Sequence, residues 1–349
     1  MKNLKKLSAI IFIIIMSLTI LSCNKNTIYT NQRVVEGEPI KVSVLLYRFD
    51  DAYISLVRQS LEKIQKENKG KVEFTFYDGK NDQLIQNQTV DTLLEKNNTD
   101  LLLVNLVETN STQDVINKVK ERNIPVILFN REPVSIEAIK SYNKSCYVGT
   151  EAAEAGGIQG KVITNAWNSN KPSIDKNNDG ILQYIMLMGE SDNLDAVTRT
   201  KYSILSINNS GIKTQELALK VCNWNKDEAK NATKALFSQL GNKVEAIIAN
   251  NDSMAIGAIE ALQEYGYNKG NKTQTITVVG VDAIPEAQKL IKEGIMTGSV
   301  LQDSDALAKA LYQIGTNLVY NRNPLYDTQY KFDATGVSIR LPYEEYIPQ

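Results

Sequence analysis

Apolar positions along this chain follow two alternating rhythms. Short runs of aliphatic and β-branched residues alternate with longer stretches in which apolar residues recur every three or four positions. Residues 41–47 are a run of the first kind and about 53–68 of the second. Residues 72–77 then predict a strand, about 82–96 a helix, and 101–106 another strand. Further strands are predicted at 126–130, 184–188, 246–250 and 277–281. Strands alternating with helices imply parallel sheets built from right-handed βαβ units. Near-continuous apolar strands fit sheets covered on both faces. The number of units favours an α/β fold of two doubly wound lobes over one oversized sheet, with a (β/α)₈ barrel as the architectural rival. No internal repeat or low-complexity linker marks the boundary between lobes.

Ahead of this rhythm stands a different segment. Lys2, Lys5 and Lys6 precede an almost wholly apolar run at 7–21. The run is short for a membrane span, which needs about 20 residues, and has the anatomy of a secretory signal. It ends in Ile20, Leu21, Ser22 and Cys23, which resembles a bacterial lipobox. The resemblance implies a signal peptide over 1–22, cleavage before Cys23 and lipidation of its thiol, since acyl chains hold an exported protein at a membrane. The polar stretch that follows, to residue 39, reads as a flexible tether. The expected location is the outer face of the cell membrane, toward the periplasm or the extracellular side.

Composition narrows the function. A formal net charge of -1 argues against a nucleic-acid partner, which would meet a basic surface. Cys146 and Cys222 each sit in an apolar, strand-like stretch and read as buried thiols, although an exported protein can also pair them. The chain contains no histidine, which removes His-containing triads, His-ligated metals and the commonest general base together. The balance leans toward binding.

In open α/β folds, ligands bind beyond the carboxyl ends of the strands. The residues there include Asp50, Asp51 and Tyr53, then Asn105, the stretch 189–199, Trp224, Asn250 to Asp252, Asp282, and Gln302 with Asp303. Amides, carboxylates and guanidinium groups make directional, paired bonds to vicinal hydroxyls. Aromatic faces cover the C–H patches of a sugar ring. Singly, each of these residues is as well explained as a loop position or a helix N-cap, Asp252 and Asp282 among them. Their recurrence at consecutive strand ends carries the weight.

At these positions the sequence resembles the bacterial periplasmic galactose/glucose-binding protein family, in the ribose/galactose-binding branch of receptors for ABC transporters. The likeness runs from about residue 41 to 342, through YRFDD at 47–51, NLV at 105–107, YVGT at 147–150, IANND at 248–252 and GVDA at 280–283. It implies the type I periplasmic binding protein fold, two lobes joined by three crossings. The implied first lobe covers 40–123 plus 304–337, and the second 124–303 plus 338–349. It implies a hexose site of Asp51, Tyr53, Asn105, Asn193, Asp195, Arg199, Trp224, Asn251, Asp282 and Gln302. Tyr53 and Trp224 would sandwich the ring, and Asp51 would meet the hydroxyl that differs between glucose and galactose. Asn193 stands where the family commonly has His, and Gln302 where it has Asn; both keep amide chemistry and change reach.

A second constellation lies at Asp175, Asn177, Asp179, Gly180, Ile181 and Gln183. Oxygen side chains at positions 1, 3, 5 and 9 with Gly at position 6 follow an EF-hand loop, but position 12 is Met186 instead of the bidentate Glu. Taken alone, the motif also fits a polar turn. The family resemblance implies one structural Ca²⁺, with Glu245 as the distant bidentate carboxylate and the Ile181 carbonyl completing the shell.

The implied function is capture of D-galactose or D-glucose by a monomeric lipoprotein that delivers it to an ABC permease. Sensing, through a chemoreceptor or a membrane kinase, rests on the same binding chemistry. A sugar-processing enzyme would need an acid/base carboxylate pair, and none stands out. A sugar-responsive repressor would carry a helix-turn-helix where this chain has its signal.

Overall fold

The computed structural model describes residues 37–271 and 274–348. The signal-like segment and Cys23 lie outside them. The described chain opens with β1 (Ile40–Leu46), α1 (Ala52–Glu67), β2 (Val72–Asp78), α2 (Gln83–Lys96), β3 (Leu101–Val104), α3 (Thr112–Glu121), β4 (Val126–Phe129), α4 (Ile136–Lys140) and β5 (Ser145–Thr150). It continues with α5 (Ala152–Ile174), β6 (Ile181–Met188), α6 (Leu194–Asn209), β7 (Lys213–Val221), α7 (Lys226–Leu240) and β8 (Ala246–Ala249). Then come α8 (Asp252–Glu264), β9 (Thr277–Val279), α9 (Pro285–Lys292), β10 (Ser299–Gln302), α10 (Ser304–Val319), β11 (Ser338–Leu341) and β12 (Tyr343–Tyr346).

Six parallel strands form the first sheet, in the order β11-β5-β4-β3-β1-β2. Four parallel strands form the second, β7-β6-β8-β9, and β10 pairs antiparallel with β12 beside it. Separate sheets exclude the closed barrel. Alternation along each strand feeds two helix layers. In the first sheet Val42, Val44, Leu101 and Leu103 pack with Ile54 and Leu61 of α1 and Leu311 and Ile314 of α10. Leu45, Leu102, Val104 and Val126 face the opposite way, onto Val90, Leu93, Val115 and Ile116 of α2 and α3. The second sheet divides similarly: Ile185, Leu187 and Ile247 meet α7 and α8, while Tyr184, Met186 and Ile248 meet α5 and α6.

The strand order corrects the expected lobe boundaries. The family resemblance places residues 124–150 and 338–341 in the second lobe. β4 and β5 instead register onto β3, with Leu102 opposite Val126 and Ile127 opposite Cys146, and β11 registers onto β5. Their buried apolar runs complete the first sheet. The first lobe is therefore 40–150 plus 304–341, and the second 152–302 plus 343–346. The chain crosses between them after β5, after β10 and after β11. Cys146 and Cys222 are both buried and free, one in each lobe.

Candidate functional site

Strand ends of both lobes converge on a cavity with about 400 Å³ of atom-free space, its open mouth included. That size suits a small ligand. Nine of the ten residues expected at a sugar site line it: Asp51, Tyr53, Asn193, Asp195, Arg199, Trp224, Asn251, Asp282 and Gln302.

Several of these also cap helices, so the structural and ligand-facing readings coexist in one side chain. Asp51 N-caps α1, its Oδ1 accepting from the Ile54 amide at 2.8 Å, while its Oδ2 accepts from the Tyr47 hydroxyl at 2.6 Å. Asn193 caps α6 through the Asp195 and Ala196 amides, and Asn251 caps α8 through the Met254 amide. Capping fixes each rotamer before any ligand arrives. Asp252 does not line the cavity: it is fully buried and accepts from the Ser299 hydroxyl at 2.6 Å and the Ile284 amide at 2.9 Å.

Arg199 organises the second lobe's wall. Its Nη1 donates to the Asn250 carbonyl at 2.9 Å, and its Nη2 to the Tyr343 hydroxyl at 2.8 Å and to Gln302 Oε1 at 3.3 Å. Burial works against its charge, but the fields of Tyr343, Asp282 and Asp195 more than offset that and keep it protonated. Burial pushes the Asp195 carboxyl up, against the pull of Arg199. It pushes Asp282 well above the usual carboxylate range, Arg199 again opposing and Asp252 and Asp51 adding repulsion.

Trp224 holds an unusual backbone. Asn223 and Trp224 have φ of 47° and 60°, and the Asn225 amide closes on the Cys222 carbonyl at 2.7 Å, a turn with both central residues left-handed. Asparagine tolerates that conformation and tryptophan does not do so readily; such strain costs on the order of 1 kcal/mol or more and collects at ligand sites. The indole is 8 % exposed, with the Arg199 guanidinium 5.8 Å from its ring centre.

Four lining side chains carry a buried polar atom that no protein group satisfies: Tyr53 Oη, Arg131 Nε, Arg199 Nε and Trp224 Nε1. All four can donate. Buried donors without partners are rare in folded proteins and mark places where a ligand or water completes the set.

Asn105 departs from expectation. It is fully buried and absent from the lining; its Oδ1 accepts from the Tyr47 amide, and its Nδ2 donates to the Phe129 carbonyl and Asn130 Oδ1, each at 3.1 Å. It ties the ends of β1, β3 and β4 together and thereby orients Tyr47 and Asn130, which do line the cavity. Tyr47, Asn130 and Arg131 were missed as site residues, although all three follow a strand's carboxyl end and the same positional rule finds them. Arg131 stacks on Tyr47 at 4.6 Å, donates to the Val107 carbonyl at 2.8 Å and pairs across the cleft with Glu190.

The EF-hand-like loop joins α5 to β6. Asn178 and Gly180 have positive φ, and Asp175 accepts from the Asp179 and Gly180 amides. Asn177 Nδ2 and Gln183 Nε2 both donate to Asp179 Oδ2 at 2.8 Å. Glu245 lies alongside, accepting from the Lys176 and Gln183 amides, and Ile181 opens β6. Burial raises the Glu245 carboxyl, the two amides oppose, and Asp175 and Asp179 add repulsion. Among the described residues, no three His, Cys, Asp or Glu side chains converge as a ready metal cage. The donor set is nonetheless all oxygen, and Gln183 Oε1 is a buried acceptor with no partner, so the residues fit a hard cation.

Parallel-sheet lobes with a polar cavity at their facing strand ends define a class of ligand-binding protein, and the sequence comparison agrees. The chain matches the periplasmic binding protein domain over residues 42–323 and belongs to that family. It is thus an exported binding protein and not an enzyme. Among individual proteins, it is 38 % identical over 304 residues to the D-galactose/methyl-galactoside binding periplasmic protein of Haemophilus influenzae, covering 87 % of this chain and 88 % of that one. It is 29 % identical over 260 residues to a putative rhizopine-binding protein of Rhizobium meliloti, covering 73 % of this chain and 77 % of that one. In fold, it resembles an ABC transporter solute binding protein from Bacillus halodurans with bound myo-inositol, at a TM-score of 0.72 and 22 % identity, covering 89 % of this chain and 96 % of that one. Among the described residues, no helix is long and apolar enough to cross a membrane.

Proposed function

We propose that the protein captures D-galactose or D-glucose between its lobes and delivers it to an ABC permease, anchored to the membrane by a lipid on Cys23. The observation that carries this reading is the cavity itself. Three carboxylates, two guanidinium groups and three aromatic rings meet there, several with donors that lack partners. Carboxylates accept from vicinal hydroxyls, guanidinium groups and the indole N–H donate to ring and hydroxyl oxygens, and Tyr53 and Trp224 supply apolar faces. A carboxylate at Asp51 accepts from either C4 epimer, so one site can serve both sugars. The identity to a galactose-binding relative supports the hexose over other polyols.

Calorimetric titration with glucose, galactose, ribose and arabinose tests the reading. Binding of at least one hexose well ahead of both pentoses is expected, without turnover. Tight ribose binding with no hexose response overturns it.

A structural Ca²⁺ in the second lobe belongs to the same proposal. Asp175, Asn177, Asp179 and Gln183 would supply side-chain oxygens, Ile181 its carbonyl and Glu245 both carboxylate oxygens. Neutralising the mutual repulsion of Glu245 with Asp175 and Asp179 is the chemistry the ion would provide.

A further inference from the structure

Behind the Trp224 side of the cavity lies a position whose contribution is an absence. Gly189 follows β6 and is buried beside Trp224. A β-carbon added there would lie 2.3 Å from Cε2 and Cζ2 of the indole and 2.6 Å from Cη2. These are atoms of a rigid ring, so no flexible tip can swing aside to relieve the overlap. Neither backbone is free to retreat. The Gly189 amide donates to Asn250 Oδ1 at 3.0 Å, and Asn250 is fully buried. On the other side, the Cys222 amide holds the Met188 carbonyl at 2.8 Å, and Asn251 Nδ2 reaches the Trp224 carbonyl at 3.4 Å. Gly189 is not among the residues of positive φ, so its own backbone does not require glycine.

We infer that Gly189 is a positioning residue for sugar recognition: its missing side chain is the seat into which the Trp224 indole fits. The inference rests on the sugar-binding reading for its ligand and on packing alone for its geometry. Three features place the ring together. The left-handed turn aims it, Arg199 lies over one face, and Gly189 admits its benzo edge. With any side chain at 189 the ring must leave this position, and Trp224 is part of the cavity lining.

The test uses the full chain carrying Trp167→Phe, which leaves Trp224 as the remaining one of two tryptophans. Adding Gly189→Ala is expected to change Trp224 emission in the sugar-free protein and to weaken hexose binding at least tenfold. In a Trp224→Phe background, whose shorter ring leaves room for a methyl group, the same glycine substitution is expected to change affinity less than threefold. If that background binds too weakly to titrate, melting temperature serves: Gly189→Ala should lower it clearly more with tryptophan present than with Trp224→Phe. Unchanged emission, or equal losses in both backgrounds, overturns the inference. A changed emission in a protein that binds no hexose before substitution supports the packing role and overturns the sugar reading instead.

Discussion

Asp252 and Asp282 show how one buried region divides its carboxylates between structure and ligand. Asp252 is saturated by Ser299 and the Ile284 amide, whereas Asp282 lines the cavity beside Arg199. Burial raises both, Asp252 to about 7 and Asp282 well above the usual range. Unfolded carboxylates titrate near pH 4, so the folded protein holds more protons than the unfolded chain between there and the raised values. The stability this contributes is complete below about pH 4 and is lost as pH rises through about 7. The sugar-free protein is therefore expected to show a falling melting temperature between pH 5 and 7.5, with a shallower slope in Asp252→Asn. Sugar hydroxyls that donate to Asp282 favour its charged form, so hexose binding should release protons and tighten as pH rises over this range. Calorimetry in two buffers of different ionisation enthalpy reads that release directly, and identical heats in both would refute it. At the aromatic wall, Trp224→Ala should weaken hexose binding by about 2 kcal/mol, as loss of a buried aromatic anchor often does. An unchanged titration would mean that the ring does not face the ligand.

At the scale of elements, the loop between α5 and β6 carries the clearest prediction. If it holds Ca²⁺, a chelator removes a ligand that binds only the folded state and lowers the melting temperature by mass action. Hexose affinity should move much less, because the loop precedes β6 while the cavity lies past its far end. Glu245→Gln should weaken metal binding more than Asn177→Ala, since it removes a charge and a bidentate grip, and Mg²⁺ should substitute poorly. Equal melting with and without Ca²⁺ would leave a polar turn. The same scale shows what was legible in the sequence. β1, β3, β4, β6, β8 and β9 announce themselves because sheets covered on both faces demand near-continuous apolar runs, and β2, at an edge, does so by alternation. β7 does not: it is an edge strand whose Lys213, Gln215, Glu216 and Lys220 face solvent, so no periodicity marks it. The lobe boundary was misjudged because β4 and β5 look the same in sequence whichever sheet they join. Asn105 was placed in the site because a residue near a strand's end can turn toward the cavity or toward neighbouring strands, and local sequence does not choose between them.

For the whole molecule, the contacts that bridge the cleft determine how readily it closes. Arg131 of the first lobe pairs with Glu190 of the second, and the Glu132 amide donates to Asp195 Oδ2 at 3.3 Å. Both form only when the lobes approach, so they bias the sugar-free protein toward the closed form, and apparent affinity scales with that population. Glu190→Gln should therefore shift the sugar-free protein toward an opened shape in small-angle scattering and weaken hexose binding by roughly three- to tenfold, about 1 kcal/mol. Identical scattering curves and affinities would show that the pair does not govern closure. The three crossings have a separate consequence, for the order in which the molecule is made. Residues 152–302 form most of the second lobe as one unbroken stretch. The first lobe lacks α10 and β11 until the chain is nearly complete. The part of one sheet face that Leu311 and Ile314 will cover, beside the part already under α1, therefore stays bare while the later domain is already able to fold. A chain interrupted near residue 303 would carry a second half lacking only β12 and a first half with a whole helix and strand still missing, so during synthesis the part that appears first is the part left most incomplete.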